Sequence, residues 1–182
     1  MMIDLRFAPS CEVSLPRELP GGPSVVLRFP PTAITDGLLV RVKRAGGERW
    51  TGSFVFGRSG SAALAAVVAM PDGVNLCVIA GRSGYVVSLD DPSHWEFLPL
   101  EPITDVRVIE EAGLVVFAGP AELVAWERSG SRWRKHVAWD GMTLKANSAT
   151  ELSGEYDDYP NRRVAQFVVD LMSGQTRGGV DD

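Results

Sequence analysis

Slid along itself by 38 residues, the chain lays Cys77-Val78-Ile79-Ala80-Gly81 on Val115-Val116-Phe117-Ala118-Gly119. At the same offset Val86 falls on Val124, Ser93 on Ser131 and Trp95 on Trp133, with no gap across those 19 positions. Self-similarity at a fixed period marks a supersecondary unit that buries its apolar face only against its neighbours. Each unit reads as a strand closing on Ala-Gly, a tight turn, a second apolar strand, a polar turn and a strand that opens with tryptophan. A looser third copy puts Gly154 in the place of Gly119. In that copy Phe167–Leu171, followed by Ser173-Gly174, takes the place of Leu123–Glu127, followed by Ser129-Gly130. It requires a longer loop, Asp157 to Arg163, between its first two strands.

The rest of the chain has the same rhythm. Short β-branched and aromatic runs alternate with turn residues, which predicts strands rather than long helices. The expected strands are Ile3–Phe7, Glu12–Leu15, Val25–Phe29, Leu38–Lys43, Arg49–Phe56, Val74–Ala80, Tyr85–Leu89 and Trp95–Leu98. Asp105–Ile109, Leu114–Ala118, Leu123–Glu127, Trp133–Val137, Met142–Ala146, Glu151–Tyr156 and Val164–Leu171 complete the set. The two N-terminal runs lie among Pro9, Pro16, Pro20 and Pro23, so they suit only sheet edges, where a missing N–H does no harm. Trp50, Phe54 and Phe56 share one parity and are expected on one side of a sheet. Ala62–Met70 carries both signals: its alanines favour a helix, while Val67-Val68 and the closing Pro71-Asp72-Gly73 turn favour a strand, and the strand is preferred. Asp36-Gly37 and Asp140-Gly141 are turn signals, the second between two strands as in a hairpin.

Composition narrows the function classes. The formal net charge is -5, so the basic stripe that a nucleic-acid surface requires is lacking. Arg128, Arg132, Arg134, Lys135, Arg162 and Arg163 sit among acidic or apolar neighbours and read as solvated strand faces. No apolar run is long enough to span a membrane and no leader pattern opens the chain, which predicts a cytoplasmic protein. Cys11 and Cys77 form no CxxC; they read as two thiols, with a bridge between them as the alternative. HExxH, GxSxG and a P-loop are absent, and the two histidines, His94 and His136, suit polar positions beside tryptophans. Gly57-Arg58-Ser59-Gly60-Ser61 and Gly81-Arg82-Ser83-Gly84 fit hairpin turns better than phosphate loops. No cofactor and no metal centre is implied.

One segment stands out as a site. Glu151, Glu155, Asp157 and Asp158, interleaved with Tyr156 and Tyr159, lie in the loop that the other copies lack. Three uses fit these residue types. A tyrosine-and-acid surface can contact another protein, carboxylates at i, i+2 and i+3 can hold calcium, and paired acids can do acid–base work. Trp139 and Asp140 stand at a neighbouring turn.

The period, the tryptophan and Phe167-Val168-Val169-Asp170-Leu171-Met172-Ser173-Gly174 resemble β-propeller blades. The last segment is similar to the apolar–Asp–x–x–Thr/Ser–Gly signature of quinoprotein-type (PQQ-like) repeats. Trp139-Asp140 resembles the Trp-Asp pair of WD40 blades, although the Gly-His partner is missing. Residues 74–179 also resemble a group of uncharacterised bacterial proteins with such repeated hairpins, a likeness that implies a fold and no activity. Propellers typically close with four to eight blades of about 40 residues. This length holds four or five units at most, and an open stack leaves edges to be covered by residues 1–23 or by a partner.

The expectation is therefore a single all-β domain over 1–182, with N-terminal strands in 1–73 and repeated hairpin units in 74–179. Its architecture is a small or open propeller-like stack, or a β-sandwich. The expected function is a non-catalytic protein-binding or scaffold domain whose partner is another protein or a second copy, with neither nucleic acid nor membrane involved. Trp139, Asp140, Glu155, Tyr156, Asp157, Asp158 and Tyr159 are the expected binding residues. A small-ligand binder or hydrolase with an acidic rim, and a calcium-stabilised domain, are the alternatives.

Overall fold

The computed structural model describes residues 1–19, 25–35, 37–47, 49–57 and 64–180. The described residues are all-β, with two short 3-10 turns and no α-helix. The chain divides into two compact units, Met1–Glu101 and Pro102–Asp182, whereas the sequence reading draws its internal line between residues 73 and 74.

The first unit runs as β1 (Met2–Asp4), β2 (Glu12–Ser14), β3 (Val26–Phe29), β4 (Gly37–Lys43), β5 (Arg49–Val55), β6 (Ala65–Ala69), β7 (Asn75–Ala80), β8 (Ser83–Ser88) and β9 (Trp95–Phe97). They form two sheets, ordered β1-β6-β7-β8-β9 and β2-β4-β5-β3. β6 to β9 are an antiparallel meander. β1 adds to its edge in parallel, Met2 opposite Ala66, and β2 covers the edge of β4. The proline-rich start of the chain thus supplies edge strands, as its lack of N–H donors requires.

The described part of Ala62–Met70 is a strand, because its small side chains are buried against both neighbours, β1 and β7. The strand expected over Ile3–Phe7 stops at Asp4, since Ala8 N–H turns back to Leu5 O at 2.8 Å. Phe56 does not share the face of Trp50 and Phe54: it lies past the end of β5 and is 48 % exposed. Pro20 to Pro23, Asp36 and the turn from Arg58 to Ser61 lie outside the described residues.

Aromatic packing joins the two sheets of this unit. Phe29 stacks on Phe54 with ring centroids 4.4 Å apart, and Trp95 meets the edge of Phe29 at 5.8 Å. Gly52 makes the stack possible, since a Cβ there would lie 2.7 Å from Phe54 Cε2 and 2.9 Å from Phe29 Cε2. Tyr85 packs on Phe54 and donates its hydroxyl to Val55 O at 2.7 Å. Cys11 and Cys77 are free, buried thiols, and burial pushes both above the usual thiol range. The alternative of a bridge between them is not realised.

The second unit comprises β10 (Asp105–Ile109), β11 (Leu114–Ala118), β12 (Glu122–Glu127), β13 (Gly130–His136), β14 (Met142–Asn147), β15 (Glu151–Asp158), β16 (Arg163–Asp170) and β17 (Thr176–Arg177). They make two antiparallel four-stranded sheets in chain order, β10 to β13 and β14 to β17. One apolar cluster lies between them, from Ile109, Leu114 and Leu123 through Met142 and Leu152 to Phe167 and Leu171. Trp133 of β13 closes it: its indole N–H donates to Leu171 O at 3.0 Å, and its ring lies against Gly174. Asp170 shapes the following turn by accepting from the N–H of Ser173 at 2.7 Å and of Met172 at 3.1 Å.

The loop expected from Asp157 to Arg163 shortens to a tight turn between two strands. β15 continues to Asp158, a 3-10 turn occupies Tyr159–Asn161, and β16 starts at Arg163. Gly154 is not a turn residue like Gly119. It lies mid-strand, where a Cβ would come within 2.3 Å of Phe167 Cζ, so its hydrogen makes room for that ring.

Three substitutions test the turn geometry and the packing. The β7–β8 turn places Gly81 and Arg82 at φ 59° and 82°, the pair of positive angles that a type I′ hairpin demands. Arg82→Gly is expected to raise unfolding free energy by about 0.5–1 kcal/mol in urea titration, because relieved strain exceeds the added chain entropy. Arg82→Ala, which keeps the strain, should leave the midpoint unchanged. Gly174→Ala places a Cβ 2.8 Å from Trp133 Cγ at a φ of 69° and should lower stability by about 2 kcal/mol or more.

Candidate functional site

The candidate residues all belong to the second unit, and strand alternation decides where they point. Val137 and Ala138, just past β13, both donate to Ala121 O, at 2.9 and 3.2 Å, and are buried. The chain then turns outward. Trp139 is 53 % exposed and Asp140 sits on the surface, before Met142 N–H anchors β14 to Pro120 O at 3.1 Å.

Along β15, Glu155 and Asp157 face one way, Tyr156 and Asp158 the other. Tyr156 is buried, its ring near Phe167 and its hydroxyl 3.4 Å from Gly178 O. Asp158 is also buried, at 5 % exposure, and sits opposite Arg163 in the β15–β16 register. It accepts from Asn161 Nδ2 at 2.8 Å and Arg163 Nε at 3.1 Å. These donors, Asn161 first, hold its carboxyl below the usual range. Glu155 is likewise held down, by Lys145 Nζ at 2.8 Å and then by Gln166. Glu151 pairs with Arg177 at 2.6 Å. Tyr159 stands at the hairpin tip, 60 % exposed.

Two concavities flank that tip. One, of about 650 Å³, is lined by Trp139, Tyr156, Asp158, Asn161, Arg163 and Val164, among others. The other, of about 430 Å³, is lined by Asp157, Asp158, Tyr159, Arg162, Arg163 and Val164. They share Asp158, Arg163 and Val164, and Val164 is 62 % exposed. Trp139, Tyr156 and Asp158 thus come together in one groove, and Asp157 and Tyr159 line the other. Asp140 and Glu155 line neither.

The expected acidic cluster therefore does not converge. On a strand the carboxylates at i and i+2 share one face and that at i+3 takes the other, and among the described residues no group of three or more His, Cys, Asp or Glu is placed to hold a metal ion. Carboxylates kept ionised by cations and amides are also poor proton donors and weak bases, which does not favour acid–base chemistry at Asp158 or Glu155. Asn161, Arg163 and Val164 escape the sequence reading. Pairing Tyr159-Pro160-Asn161-Arg162 as a tight turn between two alternating segments would have set Arg163 opposite Asp158. Arg162 takes the left-handed conformation, φ 51°, that ends this turn.

No family model and no curated protein matches the chain. Among solved structures, a chain of an S. cerevisiae assembly, described as a dbp5 variant bound to nup159, a gle1 variant, IP6 and ADP, is similar at 12 % identity and a TM-score of 0.46. The alignment covers 98 % of this chain and 53 % of that one, so this chain spans about half the length of the one it matches. Among the described residues no helix is long and apolar enough to cross a membrane.

The ionised acids make a pH prediction. Asp158, Glu155 and Asp170 have carboxyls lowered in the folded state, so their stabilisation is present above the unfolded carboxylate range and lost as pH falls through the folded values. Melting temperature should be flat near neutrality and drop below about pH 4. Asp158→Asn should make that acid drop shallower, as scanning calorimetry across pH would reveal.

Proposed function

We propose that the chain is a non-catalytic protein-binding domain that engages its partner, another protein or a second copy of itself, through the tip of the β15–β16 hairpin. One observation carries the reading: Trp139, Tyr159 and Val164 stay largely exposed around the Asp158–Arg163 ion pair. Tryptophan, tyrosine and arginine are the residues that most often anchor interfaces, and the paired hairpin presents Tyr159 and Arg163 with little ordering left to lose on binding, with Trp139 of the β13–β14 connection beside them.

The same proposal takes β6 to β9, β10 to β13 and β14 to β17 as repeated, propeller-like hairpin units. In support, each is an antiparallel run of four strands, and Trp95 and Trp133, 38 residues apart, both belong to the fourth strand of their run. The likeness to bacterial repeat proteins and a reducing, cytoplasmic setting belong to this reading, and two free, buried thiols are compatible with the latter.

The test is a comparison of the native chain with the Trp139→Ala/Tyr159→Ala double variant. The native chain is expected to retain a stoichiometric partner or to self-associate in sedimentation. The variant should melt at the same temperature but bind about 30-fold or more weakly, as expected when interface anchors are truncated. Equal retention by the variant, or a native chain that is monomeric at every concentration and retains no stoichiometric partner even at high bait, overturns the reading.

A further inference from the structure

Three Asp-Gly pairs occur in the chain, at 36–37, 72–73 and 140–141, and the structure describes both residues of the last two. An aspartate followed by glycine can close a five-membered ring on its own backbone when the side-chain carboxyl and the next amide nitrogen are both free to meet. Glycine favours the step because no Cβ hinders the approach of the nitrogen.

The two pairs differ in this respect. At Asp72-Gly73 both reactants are held. Asp72 Oδ1 accepts from the N–H of Val74 and of Asn75, each at 2.9 Å, and Oδ2 accepts from Asn75 Nδ2 at 2.7 Å. Gly73 N–H donates to Met70 O at 3.0 Å. At Asp140-Gly141 neither is held: among the described residues the Asp140 carboxylate accepts no hydrogen bond and pairs with no cation, and the Gly141 N–H donates to nothing. Asp140 is exposed, and the space where a Gly141 Cβ would sit is open.

The geometry points to Asp140-Gly141 as a site of spontaneous succinimide formation and isoaspartate conversion. Gly141 N bonds to Asp140 Cγ, the Cγ–OH bond breaks, and the hydroxyl leaves as water with the amide proton. Water then opens the ring at one of its two carbonyls. Attack at Cγ restores aspartate; attack at the backbone carbonyl routes the main chain through the side chain and leaves isoaspartate. Composition is unchanged, no co-reactant is needed, and one solvent oxygen is retained. The product inserts a methylene into the backbone between Trp139, which lines the larger groove, and Met142, which anchors β14. This inference does not depend on the binding role proposed for the groove.

The full chain is to be incubated in mildly acidic buffer made with heavy-oxygen water, then digested with trypsin in ordinary water. Trypsin isolates the two pairs in separate peptides, 136–145 and 59–82. Peptide 136–145 should split into two chromatographic peaks and gain heavy oxygen about tenfold or more faster than 59–82, because several hydrogen bonds must open before Asp72 can react. In concentrated urea the ratio should fall to near one, and Asp140→Glu should leave peptide 136–145 as a single peak. Equal labelling of both peptides in the folded chain, or an unlabelled 136–145, overturns the assignment.

Discussion

A four-stranded antiparallel meander buries one face only if a second sheet is laid against it, and in both units a tryptophan of the fourth strand helps to make that contact. In the first unit Trp95 meets the edge of Phe29, which is stacked on Phe54 in the other sheet. In the second, Trp133 reaches across to donate to Leu171 O, so its polar nitrogen is satisfied within an apolar cluster. An indole suits this position because it covers a large apolar area while keeping one donor for a backbone oxygen. Both contacts need absent side chains. Gly52 opens the space for the phenylalanine stack and Gly174 opens it for the Trp133 ring.

The hairpin of β15 and β16 follows from the same logic. Tyr156 and Phe167 belong to the core, which fixes the register, and the register then sets Asp158 against Arg163 at the tip. A carboxylate that is buried there has to be paired, and the guanidinium and the Asn161 amide do so. Outside that pair, Trp139, Tyr159 and Val164 stay largely exposed, beside the exposed polar side chains of Asp157, Asn161 and Arg162. Asp158 thus acts locally, holding the turn, while the surface that remains sets aromatic and aliphatic side chains among exposed charged ones.

Legibility followed side-chain period. Strands with clear alternation or strong apolar runs, such as Leu114–Ala118, lie where the residues predict them. Ala62–Met70 was ambiguous because alanine fits helix and buried strand alike, and burial between two neighbours decided it. β17, with two residues, carries no periodic signal at all. At the candidate site the residue types were readable, since Trp139, Tyr156, Asp157, Asp158 and Tyr159 all line one groove or the other, and their grouping was not. Reading 157–163 as a loop treated neighbouring acids as neighbours in space, when strand geometry sends them to opposite faces.

By itself the sequence determined an all-β chain of short strands with sharp turns, because β-branched runs, alternation and Gly or Pro punctuation act over a few residues. Only the tertiary structure decided which strands share a sheet, that Asp158 is paired while Trp139 is left exposed, and that, among the described residues, Asp72-Gly73 is tied down and Asp140-Gly141 is not. Those outcomes depend on residues far apart in the chain or on hydrogen bonds made by a particular turn. No local pattern specifies them until the register is set by packing.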